Sequence, residues 1–175
     1  PYGKNVNGDM VYWSRTINDA TDYAHRVMHE VLGGEDAYYY LEMDAESTAN
    51  DASKDVGVVF AFDRPVQRLN FELLDIDISG NALDRVSVKG YLGGKPVALN
   101  MDDVIVGSRV NVIGNGVFEG TQTVSDASTH GNVRILFEEV VDQVSISYTA
   151  AGSAANNPDI QAIGIGDIFW CDEEV

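Results

Sequence analysis

Residues Leu73–Tyr91 read LLDIDISGNALDRVSVKGY. Two apolar runs flank a turn rich in carboxylates. After the turn, Val86 and Val88 alternate with Arg85, Ser87 and Lys89, the period of two that a half-buried strand requires. Before it, apolar residues alternate from Leu69 to Leu73, and then Leu74 and Ile76 take over the pattern. A bulge near Leu73 would produce that slip, because one extra residue sends the following side chains to the opposite face.

The same period recurs along the chain. Val56, Val58, Phe60 and Phe62 alternate, as do Val133, Ile135 and Phe137, and then Val144, Ile146 and Tyr148. Turn chemistry separates the runs at Asp63-Arg64-Pro65, Gly93-Gly94-Lys95-Pro96, Gly114-Asn115-Gly116 and Asn156-Asn157-Pro158-Asp159. About nine strands at this spacing predict an all-β fold, a two-sheet antiparallel sandwich that is jelly-roll-like. One short helix is expected near the N-terminus. Thr21 can cap a segment from Asp22 to Leu32, with Ala24, Val27, Met28, Val31 and Leu32 as its apolar stripe and Gly33-Gly34 as its stop.

The turn carries the chemistry. Asp75, Asp77, Ser79, Gly80 and Asn81 stand at the spacing of a D-x-D-x-S-G calcium loop, with Asp84 just beyond. Hard cations take six to eight oxygen ligands, and alternate short carboxylates beside a glycine supply them. Position twelve is Val86 rather than a bidentate Glu, and the flanks are strands, so a helix-loop-helix calcium hand does not fit. The plainer alternative is an acidic β-turn on a solvated edge.

Composition agrees with both. The 175 residues carry a net charge of -17, with eighteen Asp against ten Glu and four Lys. Asp favours turns, where loop ligands sit. A low-Lys acidic surface also suits a saline habitat. That charge opposes nucleic acid and anionic membranes. The lone Cys171 allows no internal disulfide. The length suits one domain, residues 1–175, and the beginning at Pro1 suggests a segment excised from a larger extracellular protein.

No enzyme signature stands out. His25 and His29 have the i, i+4 spacing of zinc ligands on a helix, but Arg26 stands where a metalloprotease needs its Glu base. No G-x-S-x-G or phosphate loop occurs. Other oxygen-rich turns are candidate ligand-binding places: Asp102 and Asp103 after a strand end, and Asn156, Asn157 and Asp159 before the last strands. Asp44, Glu46, Asn50, Asp51 and Asp55 ring a polar loop. Tyr38 and Tyr40 should share one sheet face and Tyr39 the other.

The segments VVFAFDRPVQRLNFELLDID (58–77), DRVSVKGYLGGKPV (84–97) and VSISYTAAGSAANNPDIQAIGIGDIFW (144–170) resemble the β-sandwich domains of large bacterial surface proteins. In particular they resemble the calcium-dependent, peptide-binding domains of giant RTX adhesins. The resemblance spans roughly Val56 to Trp170 and implies an extracellular, non-enzymatic module on the bacterial surface, in which calcium orders loops and can touch the ligand. It places Asp75, Asp77, Asp84 and Asp167 as calcium-associated. The expectation is therefore a monomeric calcium-dependent adhesin module, suited to biofilm contacts, that binds an exposed peptide such as a C-terminus. A carbohydrate-binding module is the alternative, and a structural stalk domain a third.

Overall fold

A computed structural model describes residues 2–3, 9–14, 25–28, 30–36, 38–44, 56–79, 82–151 and 160–172. Its strands in chain order are β1 (Tyr2–Gly3), β2 (Asp9–Ser14), β3 (His25–Met28), β4 (Tyr38–Asp44), β5 (Val56–Leu74), β6 (Ile78–Ser79), β7 (Ala82–Leu92) and β8 (Lys95–Val97). They continue with β9 (Ile105–Val106), β10 (Val110–Gly114), β11 (Val117–Gly120), β12 (Val133–Phe137), β13 (Val141–Ala151), β14 (Ile160–Ile165) and β15 (Phe169–Asp172). Two 3-10 turns, Met101–Asp103 and Thr129–Gly131, are the helical elements among the described residues.

Every strand pairing among the described residues is antiparallel, and the strand β5 organises them. Its first half, from Val56, pairs with β13 on one side and β2 on the other. Its second half pairs with β12 on one side and with β15 and β14 on the other. β5 thus passes from one layer, β10-β11-β7-β13, into a second that holds β12, β14, β4 and β3. The two layers face each other. A Cβ added to Gly90 of β7 would lie 2.6 Å from the ring of Phe137 of β12. Val58, Val88, Val144 and Ile146 of the first layer and Leu69, Phe71, Ile135 and Ile163 of the second bury into one apolar cluster. The fold is the antiparallel β-sandwich that the alternation predicts.

Two residues of β5 and its end set the phase of burial. Val66 is buried and so is Leu69, an odd step that alternation forbids; Leu73 and Ile76 repeat the anomaly. Between each pair lies a residue with left-handed backbone, Arg68 at φ 51° and Asp75 at φ 63°. The slip read near Leu73 is therefore made by Asp75. Leu74, off the main core, packs with Leu32 and Tyr38 in a second small cluster.

Two local expectations are corrected. The expected helix from Asp22 to Leu32 is not helical where described: His25–Met28 is a strand that pairs with Tyr38–Leu41, and residues 30–32 run on into a turn. Gly33 and Gly34, expected to stop a helix, both take positive φ (58° and 85°) and close a two-residue hairpin turn in which Leu32 and Glu35 exchange both backbone hydrogen bonds. The i, i+4 zinc spacing of His25 and His29 thus has no helix beneath His25, and His29 lies outside the described residues. Asp63-Arg64-Pro65 does not end a strand either. It is an irregularity inside β5, where the register moves from Val141↔Val66 to Gln143↔Ala61, a place where Pro is tolerated.

Candidate functional site

Four stretches of chain converge at the end of β5. The first is Asp75–Asp77, leaving the strand. The Ile76 N–H donates to the Gly131 carbonyl at 2.9 Å. The second is the start of β7, where the Asp84 N–H donates to the Asp77 carbonyl at 3.0 Å. The third is the loop after β11, where the Val124 N–H donates to Asp77 Oδ2 at 2.9 Å and Thr123 Oγ1 donates to the Ile78 carbonyl at 2.6 Å. The fourth is the Gly33-Gly34 hairpin, whose Gly33 N–H donates to the Asp126 carbonyl at 2.6 Å. Gly120 permits the close approach of β11, because a Cβ there would lie 2.1 Å from the Asp77 carbonyl oxygen.

The convergence crowds carboxylates. Asp84 is buried, with Oδ1 accepting from the Tyr148 hydroxyl at 2.6 Å and Oδ2 from the Asp77 N–H at 3.1 Å. Burial holds its carboxyl well above the usual range, against the lowering effect of both hydrogen bonds. Asp77 is raised by burial as well, with Asp126 adding to the rise and the Val124 N–H opposing it. Asp75 is pushed up to about 7, by burial first and then by the charges of Asp77 and Asp126. Its Oδ1 is the one buried side-chain oxygen without a hydrogen-bond partner among the described residues. An uncompensated acceptor of this kind costs about 1–3 kcal/mol.

The expected loop residues are brought together in part. Asp75, Asp77 and Asp84 share the cluster. Ser79 lies in β6, and Asn81 is outside the described residues. Asn156, Asn157 and Asp159 are outside them too. Asp102 and Asp103 sit in a 3-10 turn of their own, where the Asp102 N–H donates to Asn100 Oδ1 and Asn100 Nδ2 donates to Asp103 Oδ2. Asp167 is exposed in the β14–β15 turn and lines a neighbouring cleft. Among the described residues, no group of three His, Cys, Asp or Glu side chains closes into a metal cage.

Sequence reasoning missed Asp126, Asn132 and Tyr148. Asp126 sits in a Ser/Thr-rich loop with no periodic signal. Asn132 is buried, donates from Nδ2 to the Gly33 carbonyl (2.8 Å) and Glu72 Oε1 (3.0 Å), and accepts the Asp75 N–H at 3.5 Å. Tyr148 carried a signal: an inward position in an alternating strand obliges its hydroxyl to find a buried partner.

The cleft that holds Asp167 has a volume of about 180 Å3 and is lined by Glu35, Glu72, Asn70, Arg134 and Phe169 as well. Gly166 fixes its floor by donating its N–H to the Glu72 carbonyl at 2.8 Å. Phe169 and Trp170 are exposed (58% and 46%), and Trp170 meets Phe62 edge-on with ring centroids 5.3 Å apart.

No protein-family model and no curated protein matches the chain. Among solved structures it is similar to TmCBM61 in complex with beta-1,4-galactotriose, at 12% identity and a TM-score of 0.42, over 94% of this chain and 88% of that one.

Proposed function

We propose that this chain is a calcium-dependent, non-enzymatic ligand-binding module of an extracellular bacterial surface protein, of the adhesin type. The observation that supports it is Asp75 Oδ1, a buried acceptor without a partner beside two further carboxylates. A cation at that place relieves both the missing partner and the mutual repulsion. Asp75 would supply an oxygen to it and the charges of Asp77 and Asp126 would favour it, with further oxygens needed to complete the shell that a hard divalent ion takes. Bound there, calcium would tie the loop after β11 to the end of β5. Asp84, engaged with Tyr148 and the Asp77 N–H, acts as the brace beneath.

The ligand is taken at an end of the sandwich, where loops are held by the rigid strands. A peptide terminus, delivering its carboxylate to calcium, is one such ligand. A carbohydrate is the other, and the aromatic-flanked cleft beside the carboxylates favours it. The module acts as a monomer, without a nucleic-acid partner and without membrane insertion. No helix among the described residues is long and apolar enough to cross a bilayer. Glycan and peptide arrays, each run with calcium and with chelator, test the proposal. Calcium-dependent capture on either array supports it, and equal signals with and without chelator count against it.

A further inference from the structure

We infer that the cleft formed by Glu35, Asn70, Glu72, Arg134, Asp167 and Phe169 binds one ring of a neutral saccharide. The inference deepens the proposal that the chain is a binding module, and rests on it. Three features of the lining select the ligand class. First, the lining offers both acceptors and donors: Glu35, Glu72 and Asp167 line the same cleft as Arg134. A hydroxyl donates and accepts, so a polyol satisfies both kinds of group at once. Asn70 contributes its carbonyl oxygen, because its amide nitrogen is engaged with the backbone oxygens of Arg68 (3.2 Å) and Phe169 (3.4 Å).

Second, charge excludes the alternatives. Three carboxylates in a chain of net charge -17 repel an anion. A cation meets Arg134 in the same wall, directly across the β5–β12 pairing from Glu72. A neutral ligand avoids both penalties. Third, Phe169 is more than half exposed at the cleft edge, and it offers an apolar face to the C–H side of a sugar ring. The volume of about 180 Å3 is below the roughly 300–1,000 Å3 of a site that encloses a whole small molecule. It suits one unit of a longer chain whose remainder stays in water.

The frame is rigid. Glu72 is held by Asn132 Nδ2, and its carbonyl accepts the Gly166 N–H, so the turns on either side are tied to β5.

Saturation-transfer NMR on the full chain tests the inference, with galactose, glucose, mannose and fucose as neutral probes and arginine methyl ester as the cationic one. The expected result is saturable transfer to at least one sugar and a loss of at least tenfold in affinity in both Phe169→Ala and Asp167→Asn. Both side chains are exposed, so the variants should keep the wild-type melting midpoint, which is measured alongside. Transfer to no sugar of the four, transfer that survives both substitutions, or transfer to arginine methyl ester alone overturns the inference. Calcium titration of the same samples keeps the two proposals separable. Sugar binding without any calcium response overturns the calcium half and leaves the cleft standing, and the reverse result overturns the cleft only.

Discussion

The hydroxyl of Tyr148, in β13, donates a 2.6 Å hydrogen bond to Asp84 Oδ1, in β7, at full burial. The second Asp84 oxygen accepts the Asp77 N–H, and the Asp84 N–H returns a bond to the Asp77 carbonyl. One side chain of the central sheet therefore positions the carboxylate turn that follows β5. A buried polar chain of this kind is strong when complete and costly when cut.

Tyr148→Phe should lower stability by roughly 1–3 kcal/mol, the cost of a buried acceptor left without its donor. Asp84→Asn should be milder than Asp84→Ala, because the amide oxygen can still accept the Asp77 N–H. Urea denaturation of the three variants checks the order. Equal losses for Asn and Ala would mean that the carboxylate position contributes packing alone.

Stability without calcium should depend on pH in a direction fixed by Asp75. Its pKa rises from 3.8 to about 7 on folding, so the native state binds its proton more tightly than the unfolded chain does. Stability is then highest below about pH 4 as far as this group is concerned, and falls as pH rises through about 7. Because Asp75 stays partly solvated, the loss is on the order of 2 kcal/mol after allowance for screening. Asp77 and Asp84, both raised, act in the same direction. Asp75→Asn should flatten the slope between about pH 4 and about pH 7 in chelator. A slope identical to wild type would remove Asp75 as its source.

Calcium affinity should fall by at least about tenfold, or ~1.4 kcal/mol, in Asp77→Ala, and change little in Asp142→Ala. Asp142 accepts the Gly93 N–H at 2.6 Å in the exposed β7–β8 turn, away from the carboxylate cluster. Calorimetric titration of the two variants separates a cation site from general acidity. Similar losses in both would assign the affinity to net charge.

Arg68 tests the phase reset in β5. Its φ of 51° suits glycine, and its ion pair with Glu138, 3.7 Å long, is between exposed groups and contributes little. Arg68→Gly should leave the melting midpoint unchanged or raise it. Arg68→Val should lower stability by on the order of 1 kcal/mol, because a branched Cβ resists that backbone. If the two variants melt alike, the left-handed residue is not what holds the bend.

Alternation made the long strands legible because burial of one face writes itself directly into Val58, Phe60, Val86, Val88, Val144 and Ile146. The Gly33-Gly34 pair was ambiguous: positive φ suits a helix stop and a hairpin turn equally, and the pairing of His25–Met28 with Tyr38–Leu41 decided it. Pairing of that kind is non-local and leaves no mark in a single window. The same holds for the site. Asp75 and Asp77 declare themselves by spacing, whereas Asp126 is brought to them by the Gly33 turn and Asn132 by its bonds to Gly33, Glu72 and the Asp75 N–H.

The most direct test of the calcium proposal is a pair of thermal melts at pH 8, with calcium and with chelator, on wild type and Asp75→Asn. With calcium about 100-fold above its Kd, a bound ion stabilises the wild-type fold by about 2.7 kcal/mol. For a chain of this size that is a rise of roughly 5–10 °C in Tm. The increment should largely vanish in Asp75→Asn, whose midpoint in chelator should lie above that of wild type because the buried repulsion is gone. A wild-type midpoint that is the same in calcium and in chelator would contradict the proposal.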